Sequence, residues 1–540
     1  MLKFIHNNVS CYVESDDTSE DRAMIADLSH CLSYAPKGAA HIKSKDGEEV
    51  VRKYRTFSML YQHEKFTVFS AGLMDFVLHS KHKRHKLNAD GTLSNEFENY
   101  EIHVDEIIDQ RIHPELEIHP VSLWNNEEQK SIVLHDYQEE ALAAFVTHRR
   151  GIIRISMGSG KTIVGMAITQ MLQVKTLFLV GTKDLLIDTI AEFKLKANID
   201  AGQIGDDVWN PQEVTVSTIQ TLSRRIKEKY VRDYLGRVIL VIFDEAQHAS
   251  RMYQEIGRAL KAAYYRVGLS ATVGLGQKEE KLKSMSLTGP MIYDVKMKRL
   301  VDKKQLAKPT AIFLRIPRMD TDPHWDLMEY DEQYDKGIVH NAFRNMVFAH
   351  VCMEMRRRGF ASLLLIEKLA HGENIMALLD EHARKWKVDY VTGKHDSKVR
   401  TKVKSGLQTG DVDILVTSRI FNEGVNIPSL ESVVVASGYK APGLTYQRYG
   451  RGVRKTAIKD TTTIVDAFDE FAPKLREHSE ARLALVKKNK AFDVMLVDWQ
   501  DFEKALDELY IKRQGGQDDS NNNNAVSKRK GSTKKRHKNT

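Results

Sequence analysis

The sequence predicts an α/β protein of two tandem domains, each a parallel sheet flanked by helices. A small α+β domain precedes them and a disordered basic tail follows. Three observations predict this. Two separate series of short, β-branched apolar runs alternate with longer amphipathic ones. ISMGSGKT at Ile155–Thr162 closes the first strand of the first series, and QRYGRGVR at Gln447–Arg454 stands near the end of the second.

Residues 1–130 read as a separate accessory unit, acidic at both ends with a basic and aromatic middle. RKYRTF at Arg52–Phe57 and KHKRHK at Lys81–Lys86 flank YQHEKFTVFSAGLMDF. Interleaved cations and aromatics suit nucleic acid, through charge on phosphates and stacking on bases. The same aromatics serve equally well as the core of a small domain.

In the first large domain, 131–305, the candidate strands are Ile152–Ser156, Thr176–Val180, Val214–Thr218, Val238–Phe243 and Arg266–Ala271. Short β-branched runs without alternation belong to a parallel sheet covered on both faces. Leu300–Pro309 reads as a hinge. The second domain, 306–513, repeats the pattern with Ser362–Glu367, Val388–Gly393, Val412–Ser418, Ser432–Ser437 and Thr462–Phe468. Residues 514–540 lack apolar anchors and carry an Asn-rich spacer before a basic end, which is the composition of a disordered tail.

A chain of 540 residues has room for two to four domains, each with its own core. Cys11, Cys31 and Cys352 are scattered and form no CxxC pair, which excludes a disulfide framework or a zinc site and fits a reducing compartment. The N-terminal stretch soon turns acidic and makes a poor signal peptide. No apolar run reaches the roughly 18 residues of a membrane span. The expected location is the cytoplasm, that of the host for a viral chain. The basic tail would serve as a nuclear signal in a eukaryotic host. Of the net charge of +8, seven units come from Lys528, Arg529, Lys530, Lys534, Lys535, Arg536 and Lys538, so 8 − 7 leaves +1 for the rest. Net charge therefore describes the tail.

The chemistry-bearing residues follow from the two motifs. Backbone N–H groups of Ser156, Met157, Gly158, Ser159 and Gly160 would cradle phosphates at a helix N-terminus. Lys161 would bridge the β- and γ-phosphates of ATP, and the Thr162 hydroxyl would ligate Mg2+. FDEAQHAS, Phe243–Ser250, ends a strand at the carboxyl edge of the sheet, where ligands of such sheets bind. There Asp244 would hold Mg2+, and Glu245 would orient or deprotonate the attacking water. Arg451 and Arg454, three apart, read as one helical face that reaches the phosphates from the second domain.

Both motifs together resemble the superfamily 2 helicases and translocases. Softer patterns, including LVDKKQLAKPTAIFLRIP and HSEARLALVKKNKAF, resemble the RecG and XPB-like branch and its phage branch-migration helicases. Ile155 replaces the first glycine of the strict phosphate-loop pattern, as is common in this superfamily. The resemblance implies two RecA-like domains with ATP between them. It assigns Gln138 in LHDYQEEAL to the adenine and Gly424 in VTSRIFNEGVNIP to the ATP site, with Asn426 in place of the frequent Asp. It assigns Gln247 or His248, Ser270 and Thr272 in GLSAT, and Gln447 to coupling between ATP and nucleic acid. It assigns Thr182, Lys183, Ser217, Thr218, Thr417 and Ser418 to nucleic-acid contacts.

The expected function is an ATP-dependent DNA helicase or translocase acting on branched, duplex or single-stranded DNA. An RNA helicase or RNA-stimulated ATPase uses the same motor. A degenerate ATPase kept as a binding module would have lost Lys161, Glu245 or a motif arginine, and all are present. No membrane is implied, and no protein partner is legible. If the tail lies on duplex DNA, deleting residues 518–540 should flatten log K against log salt by up to about 6, at roughly 0.9 per phosphate. Turnover at saturating DNA should barely change, and fluorescence anisotropy over a salt series reads the slope.

Overall fold

In the computed structural model every residue of Thr176–Val180, Leu240–Phe243 and Tyr265–Ser270 is buried, as their unbroken apolar character requires. The structure describes residues 1–34, 57–63, 66–87, 93–115, 117–126, 129–274, 278–318, 324–418, 427, 430–456 and 459–515. The first large sheet runs Val208–Asn210, Gly202–Gly205, Val214–Thr218, Thr176–Val180, Leu240–Phe243, Tyr265–Ser270, Arg150–Ile155, Met291–Val295. Only Val208–Asn210 is antiparallel to its neighbour. Helices Lys161–Leu172 and Lys183–Ala197 pack on one face through Met166, Ile168 and Phe193. Helices Ile219–Arg225, Lys229–Leu235 and Arg251–Ala259 cover the other through Leu222, Val231 and Ile256.

Among the described residues the second sheet has seven strands, all parallel, in the order Val388–Val391, Ile414–Thr417, Ser362–Leu365, Ser432–Val435, Thr461–Asp469, Lys308–Ile316, Asp493–Asp498. All ten strands expected in the two large domains are present, within a few residues at their ends. The expected hinge at Leu300–Pro309 is much shorter. Helix Met297–Asp302 occupies its start and strand Lys308–Ile316 its end. Between them Leu306 is buried in the core of the first domain, and the Ala307 N–H donates to Val453 O at 2.9 Å. The crossover is thus pinned to both domains.

The N-terminal sheet is mixed, in the order Tyr61–His63, Phe66–Ser70, Ser10–Ser15, Leu2–His6, Glu106–Asp109. Alternating burial in Leu2–His6 places Leu2, Phe4 and His6 inward, under helix Ser19–Cys31, which a Thr18–Asp21 capping box starts. Most of RKYRTF lies outside the described residues, and KHKRHK falls on the hairpin strand His82–Leu87. The core does not stop at this unit. Phe4, Phe69 and Leu73 pack in one cluster with Ile152, Val273, Leu282 and Met285 of the first large domain.

At the carboxyl end, helix Phe502–Gly515 runs slightly past the expected start of the tail, and residues 516–540 lie outside the described residues. Gly72 marks the tightest seam. A Cβ there would sit 2.3 Å from Met285 O and 2.8 Å from Ser286 O. Gly72→Ala should therefore destabilise the protein by about 1–3 kcal/mol through overpacking. Gly443→Ala, whose nearest neighbour would be 3.9 Å away, should change little. Urea unfolding of the two variants checks the contrast.

Candidate active site and nucleic-acid interface

Strand Arg150–Ile155 ends in a loop that turns into helix Lys161–Leu172. Gly158 and Gly160 take φ of +75° and +79°, the left-handed region that glycine enters without strain. At Gly160 a Cβ would meet Gln138 Nε2 at 2.9 Å. Gln138 is itself buried. Its Oε1 accepts from the His135 N–H at 2.9 Å and its Nε2 donates to Ser159 O at 3.3 Å, while Tyr137 Oη donates to the same carbonyl at 2.6 Å. Gln138 thus ties the upstream helix Asp136–His148 to the phosphate loop.

Lys161 Nζ pairs with Glu245 Oε1 at 2.8 Å. Glu245 sits at φ +50°, ψ +50°, an uncommon conformation for a residue with a side chain, with its N–H on Asp244 Oδ1 at 3.0 Å. The two carboxylates are driven apart. Burial and the Glu245 anion push Asp244 upward. Burial would also raise Glu245, but the Lys161 ammonium and the Gln247 amide hold it well below the carboxylate range. Gln247 Nε2 donates to Glu245 Oε2 at 2.6 Å, and Gln247 Oε1 accepts from Ser270 Oγ at 2.5 Å. Ser270 Oγ in turn accepts from the Thr272 and Val273 N–H groups, each at 3.0 Å. A continuous hydrogen-bonded chain therefore runs Lys161–Glu245–Gln247–Ser270–Thr272. Gln247 occupies the link between the acidic pair and GLSAT, with His248 next to it in the chain.

The arginines come from a turn, which corrects the helical face expected of them. Helix Pro442–Tyr449 stops before Gly450, and Arg451 and Arg454 follow it in irregular backbone that pairs with Leu306. A Cβ on Gly450 would lie 2.7 Å from Met157, and one on Gly158 would lie 3.2 Å from Arg454 N. The two glycine turns interlock across the domain boundary. Both arginines line one cleft with Lys161, Thr162, Asp244 and Glu245. Burial pulls the Arg454 guanidinium below its ordinary range, with Glu192 and Tyr137 opposing. Gln447 is buried behind the turn, and Gly424 and Asn426 lie outside the described residues.

Of the expected nucleic-acid residues, Thr182, Lys183 and Thr218 line one cavity of about 340 Å³ with Gln220, Arg224 and Arg225. Thr182 caps helix Lys183–Ala197 by accepting from the Leu185 N–H at 3.2 Å, and Lys183 pairs with Asp206. Ser217 and Thr417 are not brought to a surface. Each is fully buried, with its hydroxyl toward the next residue's carbonyl. Ser418 is buried as well.

Residues 131–275 match the family described as type III restriction enzyme, res subunit, and residues 347–456 match the helicase conserved C-terminal domain. These matches make the two motor domains those of a helicase, similar to the superfamily 2 pattern. The chain is 26% identical to a DNA 3'-5' translocase XPB2 of Sulfurisphaera tokodaii, over 60% of this chain and 79% of that one. It is 25% identical to the ATP-dependent DNA helicase uvsW of phage T4, over 64% of this chain and 70% of the relative. Among solved structures, yeast Dbp5 bound to RNA and ADP BeF3 superposes with a TM-score of 0.50 at 15% identity, covering 71% of this chain and 94% of that one. That likeness is one of fold, two RecA-like domains in tandem. No helix among the described residues is long and apolar enough to cross a membrane.

Sequence reasoning missed the helix whose residues line both cavities. Lys183–Ala197 carries Thr182 and Lys183 at its start, and it lines the cleft with Asp188, Thr189 and Glu192. Its signal was the i, i+4 spacing of Asp184, Asp188 and Glu192. The chain through Gln247 also yields a prediction. Ser270→Ala removes the donor to Gln247 and the acceptor for two buried N–H groups. It should cut nucleic-acid-stimulated ATPase about tenfold or more and leave binding of a fluorescent ATP analogue near normal. Loss of both together would mean that Ser270 merely supports the fold.

Proposed function

We propose that this helicase is an ATP-dependent DNA translocase that unwinds or remodels branched DNA, with four parts dividing near residues 130, 305 and 513. The observation that carries the reading is the single cleft shared by Lys161, Glu245 and the two arginines of the other domain. One domain can hold a triphosphate, and only both together can complete its transition state. The names of the T4 and Sulfurisphaera relatives favour DNA over RNA.

The residues divide the work. Lys161 and the loop N–H groups neutralise the phosphates, and a triphosphate that engages Lys161 takes it from Glu245, freeing the carboxylate to orient water. Arg451 and Arg454 meet the charge that develops on the transferred phosphoryl group. Thr162 and Asp244 offer the hard oxygens magnesium takes. They fit it, since Asp244 is buried with one backbone N–H and no ion pair among the described residues. Bound there, magnesium would offset phosphate charge. The space between the loops, about 160 Å³, is below the ~300–1,000 Å³ of ligand pockets, so the domains part to admit ATP and close on it. Each closure moves the Thr182–Thr218 groove against the second domain, which is a step along the strand.

Three variants test the division. Lys161→Ala should lose ATP binding and turnover together. Glu245→Gln should bind ATP, trap DNA and fall about 10³-fold or more in turnover. Arg454→Ala should bind ATP to the first domain and lose turnover by ~10³ or more, the scale of an arginine acting across a cleft. ATPase rates with single strands, duplex, fork, four-way junction and RNA, beside nucleotide-binding titrations, read all three. Near-normal turnover in any of them refutes the site.

A further inference from the structure

Two cavities, of about 310 and 420 Å³, meet at Tyr61 and Arg258 along the seam between the N-terminal sheet and the first large domain. Their walls share Val9 and Ser10 and carry no acidic residue among those described. Ser58, Ser70, Ser286 and Gln254 line one cavity, and Lys261, Tyr12 and three side-chain amides line the other. Arg258 is exposed, forms no ion pair among the described residues, and lies over the Tyr61 ring at 5.6 Å.

Positive charge behind these walls is not cancelled locally. Arg266 is fully buried and donates to the carbonyls of Ala263, Gly257, Leu260 and Leu287, with no carboxylate partner among the described residues. Nearby Arg150 donates to Thr288 O and Asn8 O, and its Nη2 has no hydrogen-bond partner among the described residues. Carbonyl dipoles satisfy a guanidinium's N–H groups but leave its unit charge to project through low-dielectric walls. The seam is therefore an anion-attracting groove with an aromatic face, and the anion that matches a long groove of this kind is a phosphodiester backbone.

Its place in the fold identifies which backbone. Lys261 and Arg258 stand just before strand Tyr265–Ser270, at the amino edge of the sheet. The phosphate loop and the Thr182–Thr218 cavity follow strand ends at the carboxyl edge. A strand of five or six residues separates the two edges by about 17–20 Å. One single strand seated in the motor groove does not also lie along the seam, whereas a branched substrate presents a second backbone there. We propose that the Tyr61–Arg258–Lys261 seam binds the phosphodiester backbone of a second arm of a branched nucleic acid while the motor engages the first. This rests on the reading of the chain as a nucleic-acid motor and adds where its junction preference resides.

The test compares full-length wild type, Arg258→Ala/Lys261→Ala, and the charge-retaining Arg258→Lys/Lys261→Arg. Neither residue belongs to the ATP cleft, and both side chains lie on the surface. With a labelled DNA fork, the alanine pair should flatten log K against log salt by about 1.8 and bind roughly eightfold more weakly per lost contact at 0.1 M salt. The charge-retaining pair should match wild type. Binding of a labelled single strand, and ATPase at saturating single strand, should be unchanged in both.

An unaltered fork affinity and slope in the alanine pair overturns the proposal. So does an equal loss for fork and single strand, which would place these residues on the motor's own strand. Calorimetric titration of inorganic phosphate and AMP separates a free-anion site. Heat that disappears in the alanine pair while fork binding is intact assigns the groove to small anions and also overturns it. Failure of the underlying motor reading would appear elsewhere, as wild-type ATPase that no nucleic acid stimulates.

Discussion

The ion pair between Lys161 and Glu245 is the contact on which the working parts depend. At 2.8 Å and largely out of solvent, it ties the lysine proposed to hold phosphate to the carboxylate proposed to act on water. The two roles exclude each other until phosphate arrives. ATP that draws the lysine away leaves Glu245 an anion beside Asp244, and two adjacent buried carboxylates repel. Glu245 then leans harder on its remaining donor, the Gln247 amide. The Glu245 backbone sits in the left-handed region, and its carboxylate lines the cleft. Gln247 and Ser270 connect that carboxylate to the backbone N–H groups of Thr272 and Val273.

A second route runs along helix Lys183–Ala197. Its Asp184 takes Arg400 in two hydrogen bonds of 2.7 and 2.9 Å, and its Asp188 takes Lys404 at 2.9 Å, both from helix Ser397–Thr409 of the second domain. Matching i, i+4 spacings on the two helices bring the pairs into register together, so they form or break as a unit. Thr182 before the first helix lines the Thr182–Thr218 cavity, and Glu192 further along lines the cleft of Lys161 and Arg454. One helix therefore touches the ATP-site cleft, the Thr182–Thr218 cavity and the second domain, the arrangement that the proposed coupling of nucleotide to strand requires.

Much of this was legible from residue pattern. Thr176–Val180 and Val214–Thr218 were read to the residue because β-branched runs between polar turns leave little choice. Strands Met291–Val295 and Asp493–Asp498 were not read, because they sit at sheet edges, half exposed and carrying acidic residues. Strand Lys308–Ile316 was hidden by the lysine and proline at its start, which read as a linker. At Arg451 and Arg454 the spacing of three imitates a helix, but Gly450 and Gly452 leave no side chains to hold one, and close packing on Met157 and Thr462 decides the turn. Ser217 and Thr417 show the limit of carrying a motif over. Residue type marks a strand end, and only packing shows which hydroxyl faces inward.

The arginine turn has no helix to stiffen it, so its precision must come from beneath. Arg448, buried one residue before Tyr449, donates to Glu367 at 2.5 Å and to Gly438 O at 3.1 Å. Tyr449 Oη donates to Asp466 at 2.5 Å, and Asp466 also accepts two hydrogen bonds from Arg482. Arg482 belongs to helix Pro473–Lys488, well outside the motif. Buried ion pairs add little net stability, because desolvation offsets most of their attraction, but breaking one partner is costly. Such a network suits a role in geometry. It holds Pro442–Tyr449 in one orientation against the sheet, so that the turn issuing from it arrives over Gly158 from a fixed direction. Arginines on a flexible loop would have to be ordered at each turnover. Here that ordering is done once, when the second domain folds.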